Sequence, residues 1–368
     1  MHQAEPVTRT VVVAPDAFKG SASAAVVARA LRDGWLSVRP GDRVVLAPMA
    51  DGGEGTMEAF ELALPASVRH PVRVAGPAGR PVDAWWLELP DGTAVVELAA
   101  TSGIGLLPVL APFDAHTLGF GQAIADALEF GATGLLLGIG GSASTDGGTG
   151  ALTALGARFM DASGAPIALG NRGLETLTTA DIGGLPALPP DRVRILSDVD
   201  SPLLGAAGAA AVFGPQKGAT AADVPRLEAG LRRLAEVLGA DPDAPGAGAA
   251  GGTGYGLLAW GGALTSGARA VAEAVGLPGR IASADLVITG EGRYDGQSET
   301  GKVPAFVRGL AEAAGVPALL VAGSIAADPS GFLRSVALTD LAGDAAAAIA
   351  QPERFAFDAA VVLAAGSL

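Results

Sequence analysis

The sequence contains no cysteine in its 368 residues, which excludes a disulfide framework, a thiolate zinc site and a cysteine nucleophile. It is also poor in histidine, with three, and in aromatic residues, at 5%. Charged residues make up 17% and hydrophobic residues 49%, so the chain can bury a large core and is not disordered. Basic residues are outnumbered 24 to 38, a net charge of −14. An acidic surface repels phosphate backbones, so nucleic acid is not an expected partner.

Long apolar runs are missing as well. The longest uncharged run, from Ala244 to Ala268, contains nine glycines and would make a poor helix in lipid. Near the N-terminus, the apolar run from Val11 to Ala14 is too short for a signal peptide. We therefore expect a cytoplasmic protein that does not bind membranes. The length suggests about two domains.

Lysine is the scarcest of the charged residues. Only Lys19, Lys217 and Lys302 occur, and the other 21 of the 24 basic residues are arginine. Each lysine lies in a glycine-containing segment. Since a lysine ammonium is a compact cation suited to phosphate oxygens, this placement indicates three ammonium groups kept for binding anions.

Short β-branched runs followed by glycine-rich turns and helical patterns recur along the chain, which is typical of a parallel sheet with ligands at the carboxyl ends of its strands. The sequence predicts strands at 11–14, 43–47, 134–138, 193–196, 209–213, 286–289 and 318–322, and helices at about 23–38, 119–130 and 304–314. Three runs between 72 and 98 predict an antiparallel hairpin or meander. We predict an α/β protein with a Rossmann-like parallel-sheet domain built from both chain ends (1–70 and 276–368) and an inserted mixed α/β domain (71–275).

Five strand-end segments combine glycine with carboxylates, lysine or hydroxyl residues. They are PDAFKG (15–20), DGGEGT (51–56), GIGGSASTDGG (138–148), SDVDSPLLG (197–205) with FGPQKG (213–218), and TGEGRYDGQ (289–297) running into TGK (300–302). Glycine lets main-chain amides approach an anion. Carboxylates can hold Mg²⁺, which bridges nucleotide phosphates. Together these segments predict a phosphoryl-transfer site that does not need histidine.

Each segment alone has a simpler interpretation. A glycine-rich turn most often only reverses the chain, and Asp51 or Asp198 alone is more often a cap or turn residue than a metal ligand. Glu97 and Arg293 are equally well explained as members of structural ion pairs. Trp85 and Trp86 point to opposite faces of a strand, so one of them is expected in the core. The recurrence of these residue types in five strand-end segments favours a single site.

One segment imitates a P-loop. Residues 296–302 fit G-x-x-x-x-G-K, but Val303 stands where a Ser or Thr would bind Mg²⁺. The segment also follows a long loop and not a strand directly. It is therefore interpreted as a phosphate-binding loop of another kind.

The sequence resembles, nearly end to end, the bacterial glycerate kinases of glycolate, glyoxylate and glucarate catabolism. PDAFKGSASA is similar to the family's PDSFKGSLSA, GIGGSASTDGG to GIGGSATNDGG, and SDVDSPLLG to CDVxNPLLG. APMADGGEGT, VFGPQKGAT, GAGAAGG and ITGEGRYDGQS-x-x-GK also follow the family. The sequence departs from the pattern at Ala17, Thr145, Ser197 and Ser201, and it matches more loosely after Ser324.

The resemblance implies ATP-dependent, Mg²⁺-dependent phosphorylation of D-glycerate on a two-domain α/β fold whose cleft lies between the domains. It favours 2-phosphoglycerate as product. The alternatives are a kinase of another small hydroxy acid and a kinase that forms 3-phosphoglycerate. A non-catalytic nucleotide-binding protein is least favoured because the lysines and carboxylates are all present. Either a monomer or a homodimer is expected.

We hypothesise individual roles for the residues of these segments. Lys19 and Arg293 contact the glycerate carboxylate or the transferring phosphate. Asp198 is the base that accepts the hydroxyl proton, with Asp295 as the alternative. The predicted Mg²⁺ ligands are Asp51, Glu54 and Glu291. The residues predicted to cradle the nucleotide phosphates are Gly140, Gly141, Ser142, Asp146, Gly147, Lys217 and Lys302.

Overall fold

The computed structural model describes residues 8–188, 193–296 and 302–366. Within them the chain forms thirteen strands: β1 (Thr10–Pro15), β2 (Arg43–Leu46), β3 (Val68–Ala75), β4 (Pro81–Glu88), β5 (Thr93–Glu97), β6 (Gly134–Gly138), β7 (Arg158–Met160), β8 (Thr179–Asp181), β9 (Val193–Leu196), β10 (Ala263–Thr265), β11 (Leu286–Tyr294), β12 (Ala318–Ile325) and β13 (Arg334–Ala337).

The same described residues form fifteen α-helices: α1 (Ala24–Val38), α2 (Thr56–Ala63), α3 (Leu98–Ser102), α4 (Leu118–Phe130), α5 (Thr149–Ala154), α6 (Asn171–Leu174), α7 (Ala209–Phe213), α8 (Val224–Leu238), α9 (Ala249–Trp260), α10 (Gly267–Ala274), α11 (Leu277–Ala282), α12 (Val303–Ala314), α13 (Leu338–Ala342), α14 (Ala345–Ala350) and α15 (Pro352–Ala365). Short 3₁₀ helices lie at Ile104–Leu106 and Pro215–Lys217. None of the helices in these described ranges is long and apolar enough to cross a membrane.

The chain divides into two compact units. The first comprises the described parts of Met1–Ala50, Glu58–Pro65 and Ala268–Leu368, and the second comprises those of Asp51–Met57 and Ala66–Gly267. The whole DGGEGT segment thus belongs to the second unit, whereas the predicted boundaries assign it to the first domain. Those boundaries, at 70 and 276, stay a prediction.

The first unit is built on a five-stranded parallel sheet in the order β13-β12-β11-β1-β2. Val11, Val12 and Val13 are fully buried, as expected for a strand covered on both faces. In the unit's own chain order the strands run 5-4-3-1-2, the flavodoxin-type arrangement, whose topological switch point falls between β1 and β11. The prediction of a parallel sheet built from both chain ends is confirmed.

Helices α1 and α15 pack closely against each other in this unit. Ser23 caps α1 by accepting a hydrogen bond from the Val26 amide. Gly34 lies at the contact, and a Cβ atom there would come within 2.3 Å of the Phe357 carbonyl oxygen and 3.0 Å of Ala360 Cβ. The helix pair therefore needs glycine at this position for steric reasons.

Replacing Gly34 by alanine should lower the free energy of unfolding by about 1–3 kcal/mol, because the added methyl group overpacks the contact. Gly309 in α12 is a matched control, since no atom lies within 4 Å of its added Cβ. Gly309→Ala should raise the free energy of unfolding by roughly 0.5–1 kcal/mol, through helix propensity. Urea unfolding measures both variants. Equal stability of Gly34→Ala and the unsubstituted protein would contradict the packing argument.

The second unit contains a six-stranded sheet in the order β10-β9-β6-β5-β4-β3. Strands β10, β9, β6 and β5 are parallel, while β4 and β3 extend the sheet as an antiparallel meander, as predicted. Trp86 on β4 is fully buried and donates to Asp126, whereas Trp85 is partly exposed. The alternation expected for a strand thus places one tryptophan in the core.

The run 209–213 was predicted as a strand and is the helix α7. Its sequence, AAAVF, opens with three alanines, the best helix formers, and a short buried apolar run has no period that distinguishes a helix from a strand. Strand β11 is longer than predicted, since it continues to Tyr294 by pairing with β12. The apolar run at 286–289 predicted only the first, apolar half of that strand.

Candidate functional site

The parallel strands of the second unit end at one edge of the sheet, and acidic residues follow them there. Asp198 comes two residues after β9, and Gly267 comes two residues after β10. The Asp198 Oδ1 atom accepts a hydrogen bond of 3.0 Å from the Gly267 amide. Since β9 and β10 are neighbours, this hydrogen bond joins the two strand ends and holds the Asp198 carboxylate at the edge, where the residue is exposed.

The DGGEGT segment lies across the same edge. The Gly52 carbonyl accepts from the Gly140 amide at 3.0 Å, and a Cβ atom on Gly52 would lie 2.4 Å from the Leu196 carbonyl oxygen. A Cβ atom on Gly267 would lie 2.2 Å from the Asp51 carbonyl oxygen. Gly267 therefore touches both aspartate segments, and only a residue without a side chain permits this approach. The structure brings Asp51 and Asp198 together around it.

Glu97, at the end of β5, explains how the segment is attached to the sheet. Its side chain is buried, and Oε1 accepts a hydrogen bond of 2.5 Å from the Met57 amide at the start of α2. Of the two alternatives raised from the sequence, this contact supports a structural role for Glu97. Glu54 lies on the exposed side of the same turn.

The glycine-rich loop 138–148 follows β6 at this edge. Gly141, Gly147 and Gly148 have φ values of 73°, 65° and 78°, a conformation in which a side chain would be strained. Ser142 is buried and donates to the Ala250 carbonyl at 3.1 Å. The loop is therefore a tightly turned segment of main chain, the type of structure that can surround an anion.

Asp146, which was predicted to help cradle the nucleotide phosphates, lies in this loop. Its carboxylate is fully buried and accepts five hydrogen bonds. These come from the Thr117 amide and hydroxyl, the Ser144 hydroxyl, and the amides of Gly148 and Gly150, at 2.8–3.2 Å. Both oxygens accept hydrogen bonds, so Asp146 holds the loop in shape, and its place at the nucleotide phosphates stays a prediction.

Lys217 is also buried, directly behind this loop. Its ammonium donates to the Ser144 carbonyl. Desolvation lowers the pKa of Lys217 from 10.5 to about 7, and the charge of Asp146 partly offsets this. A cation kept inside the protein next to a glycine-rich loop stabilises the loop's carbonyl groups and supplies positive potential near its main chain.

A left-handed turn at residues 250–252 completes the support of the loop. Ala250 has φ 55°, the single positive value at a non-glycine residue in the described chain, and Gly251 and Gly252 follow with 70° and 86°. The Gly251 carbonyl accepts from the Gly147 amide at 3.1 Å. A Cβ atom on Gly251 would lie 2.1 Å from the Ser144 carbonyl and 2.7 Å from Lys217 Nζ. These contacts explain the glycine pair in the GAGAAGG motif.

The first unit has its own group of charged residues, at the switch point of its sheet. The Asp16 amide donates to the Gly290 carbonyl at 2.8 Å, so the turn after β1 lies beside β11. Asp16 and Glu291 are both largely buried. A Cβ atom on Gly292 would lie 3.2 Å from the Lys19 amide nitrogen. Asp16 belongs to the predicted PDAFKG segment but had no predicted role, and its place after the first strand was the available signal.

The other predicted residues of this unit form looser pairs. Lys302 Nζ lies 3.9 Å from Glu291 Oε2, and Arg293 Nε lies 3.3 Å from Asp295 Oδ2. The Arg293 side chain is 69% exposed and can reach a ligand. In the P-loop-like segment, residues 297–301 lie outside the described residues, whereas Lys302 stands at the N-cap of α12.

Comparison with known proteins identifies the family. The sequence model described as "Glycerate kinase family" matches residues 11–364. The chain belongs to the glycerate kinase family. It is 45% identical to the "Glycerate 2-kinase" of Escherichia coli K12 over 328 residues and 44% identical to the "Glycerate kinase" of Bacillus subtilis 168, with 86% of each chain covered in both cases.

Solved structures agree with this placement. The crystal structure of "putative glycerate kinase 2 from Salmonella typhimurium LT2" superposes with a TM-score of 0.82 at 40% identity, covering 98% of this chain and 99% of that chain. The predictions of a glycerate kinase and of a phosphotransferase with an alcohol acceptor are confirmed. Family membership also implies the use of ATP.

The site residues of this glycerate kinase are divided between the units. Asp51, Glu54, Asp198 and the glycine loop lie in the second unit, whereas Lys19, Glu291, Arg293, Asp295 and Lys302 lie in the first. Within residues 8–188, 193–296 and 302–366, no three His, Asp or Glu side chains form a cluster able to hold a metal ion. The Mg²⁺ set of Asp51, Glu54 and Glu291 stays a prediction.

Proposed function

We propose that this chain transfers the terminal phosphoryl group of ATP to the 2-hydroxyl of D-glycerate. The observation that carries this proposal is the carboxyl edge of the second sheet. There, Asp198 and Asp51 flank Gly267, and a glycine loop supported by the buried Lys217 lies beside them. A base, candidate metal ligands and a phosphate-binding loop are the parts that phosphoryl transfer needs.

The residues present fit a nucleotide with a magnesium ion. The glycine loop offers main-chain amides in left-handed turns, and Asp51 and Glu54 supply carboxylate oxygens of the type that Mg²⁺ prefers. We propose Asp51 and Glu54, which lie in one unit, as carboxylates that hold it, and Glu291 stays a predicted ligand. When bound, Mg²⁺ would neutralise charge on the phosphate oxygens.

The reaction needs a proton acceptor near the glycerate hydroxyl. As the new O–P bond forms and the bond to the ADP oxygen breaks, the hydroxyl proton passes to Asp198. The hydrogen bond from the Gly267 amide orients this carboxylate through Oδ1. Asp295, paired with Arg293, is the alternative base.

Cationic side chains of the first unit suit the carboxylate of the substrate. Lys19 and Arg293 are exposed cations next to the switch point of the sheet, where open α/β sheets bind ligands. We propose that they bind the glycerate carboxylate or the transferring phosphate, and that Lys302 approaches the nucleotide phosphates. A cytoplasmic location, a role in glyoxylate metabolism and a monomeric or homodimeric state remain predictions from the sequence.

Phosphorus NMR of the product formed from ATP and D-glycerate tests activity and position together. In 2-phosphoglycerate the phosphorus couples to one proton, on C2, so the proton-coupled signal should be a doublet. A triplet would indicate the 3-phosphate, whose ester carbon carries two protons. If no new phosphomonoester signal forms, the proposal is wrong, and a panel of other hydroxy acids then tests the alternative kinase.

A further inference from the structure

Exposed apolar side chains are concentrated in one loop of the second unit. Between α3 and α4, residues 103–113 contain no charged residue, although the whole chain carries a net charge of −14. Leu106 is 38% exposed, Leu110 43% and Val109 76%. An exposed apolar segment of this kind is a candidate binding surface. We call residues 104–110 the apolar loop.

The apolar loop begins at the glycine loop. The Ile104 amide donates to the Gly141 carbonyl at 2.8 Å, and Gly103 pairs with Ser142 in an isolated antiparallel bridge. The Ala143 amide donates to the Ser102 carbonyl at 3.1 Å. Three main-chain contacts thus fix Ile104 and the two residues before it to the segment proposed to surround the phosphates.

The other end of the apolar loop reaches the segment that carries Lys217. A Cβ atom on Gly218 would lie 2.8 Å from Leu110 Cβ. Gly218 has φ 92°, so the chain turns sharply beneath Leu110. The apolar loop therefore spans from the glycine loop to the residue next to Lys217.

We propose that the apolar loop is the surface on which the base of the nucleotide packs. This inference rests on the proposed function, in which the glycine loop surrounds the phosphates. A nucleoside triphosphate joins a charged phosphate chain to a flat base with apolar faces, and nucleotide sites combine a few polar contacts with apolar lining. Here an apolar surface is attached directly to the phosphate-binding main chain, so the triphosphate and the base have adjacent places to bind.

The chemistry of the loop also predicts its selectivity. The side chains of Leu106, Val109 and Leu110 cannot form hydrogen bonds, so they cannot read the edge of a base. Discrimination between bases depends on such polar contacts. We therefore expect ATP and GTP to be used with similar KM values, within about tenfold.

The double variant Leu106→Ser/Val109→Ser tests the inference, since both side chains are exposed and their loss leaves the core intact. Its KM for ATP should rise about tenfold, through lost apolar contact. The KM for D-glycerate should not change, nor should inhibition by inorganic tripolyphosphate, which has the phosphate chain but no base. Val68→Ser, at a 51% exposed position in β3 of the same unit, is the matched control and should keep the KM for ATP.

Three results would overturn the inference. The first is an unchanged KM for ATP in the double variant, with normal glycerate phosphorylation. The second is an equal loss of tripolyphosphate inhibition, which would mean that the loop acts on the phosphate end. The third is a change of subunit number in light scattering with an unchanged KM, which would assign the loop to contact between copies of the chain. If the unsubstituted protein does not phosphorylate glycerate, the proposed function fails, and calorimetric ATP affinity then replaces KM in the same comparison.

Discussion

Asp198→Asn should lower kcat for glycerate phosphorylation by about 10²–10⁴-fold, the contribution typical of a general base. An amide cannot take up the hydroxyl proton at neutral pH. The Asn oxygen can still accept the hydrogen bond that the Gly267 amide donates to Asp198 Oδ1, so the strand ends should keep their arrangement and the KM for glycerate should change little. Steady-state kinetics with both substrates measures the effect.

Asp200 provides the control for this variant. It is an exposed aspartate in the same segment, two residues further on, and Asp200→Asn should keep kcat within about twofold of the unsubstituted protein. Asp295→Asn tests the alternative base. A large loss of kcat in Asp295→Asn together with near-normal turnover in Asp198→Asn would transfer the role of base to Asp295.

Lys217→Met should lower kcat/KM for ATP by about 10–100-fold, the range for losing a buried hydrogen bond from a charged donor. Methionine fills a similar volume, but it cannot donate to the Ser144 carbonyl, which loses its ammonium partner. The glycine loop would then lose support from behind while the KM for glycerate stays unchanged. A normal KM for ATP with normal kcat would show that Lys217 has no part in nucleotide binding.

A second cation in the same unit separates this effect from a general loss of a charged contact. Arg233 Nη1 donates to the Leu174 carbonyl at 3.0 Å, away from the glycine loop. Arg233→Met also removes a cation bound to main-chain carbonyl oxygen. It should leave kcat/KM for ATP unchanged, whatever its effect on stability.

The same lysine predicts how stability depends on pH. Because burial lowers the pKa of Lys217 from 10.5 to about 7, the unfolded chain binds more protons than the folded chain between these values. The free energy of unfolding therefore increases as the pH rises across this window. Lys217→Met has no amine to titrate and lacks this increase. The free energy of unfolding of the unsubstituted protein, relative to that of the variant, should therefore rise from pH 7 to pH 10. Denaturant unfolding across this range measures it, and a flat or opposite trend would contradict the burial of the charged amine.

Much of the fold could be predicted because the local pattern of apolar and polar residues reflects which side chains are buried. The β-branched run at 11–14 predicted a buried strand, and the alternation around Trp85 and Trp86 predicted a meander with one tryptophan inside; the structure has both. The run 209–213 was mistaken for a strand because five apolar residues contain too little periodic information. The helix is selected by packing against other elements, and the local sequence carries no information about that packing.

The candidate site was likewise predictable only in the part that depends on local sequence. Motif order along the chain indicated phosphoryl transfer and the family, since glycine, carboxylates and lysine after strands are a local signal. The sequence did not indicate that Gly267 would join Asp51 to Asp198, because the partners lie far apart in the chain and meet only when β9 and β10 pair. Gly267 itself had no motif to mark it.

The sequence by itself singled out the three lysines and their glycine-containing segments. It also predicted a phosphoryl-transfer site that uses neither cysteine nor histidine. Tertiary structure alone decided which of the lysines are exposed and which is buried. Lys19 and Lys302 are exposed in the first unit, whereas Lys217 is enclosed behind the glycine loop of the second. The physical reason is that a residue's type and neighbours set its chemistry, while its burial, pKa and partners are set by segments that the fold brings from elsewhere in the chain.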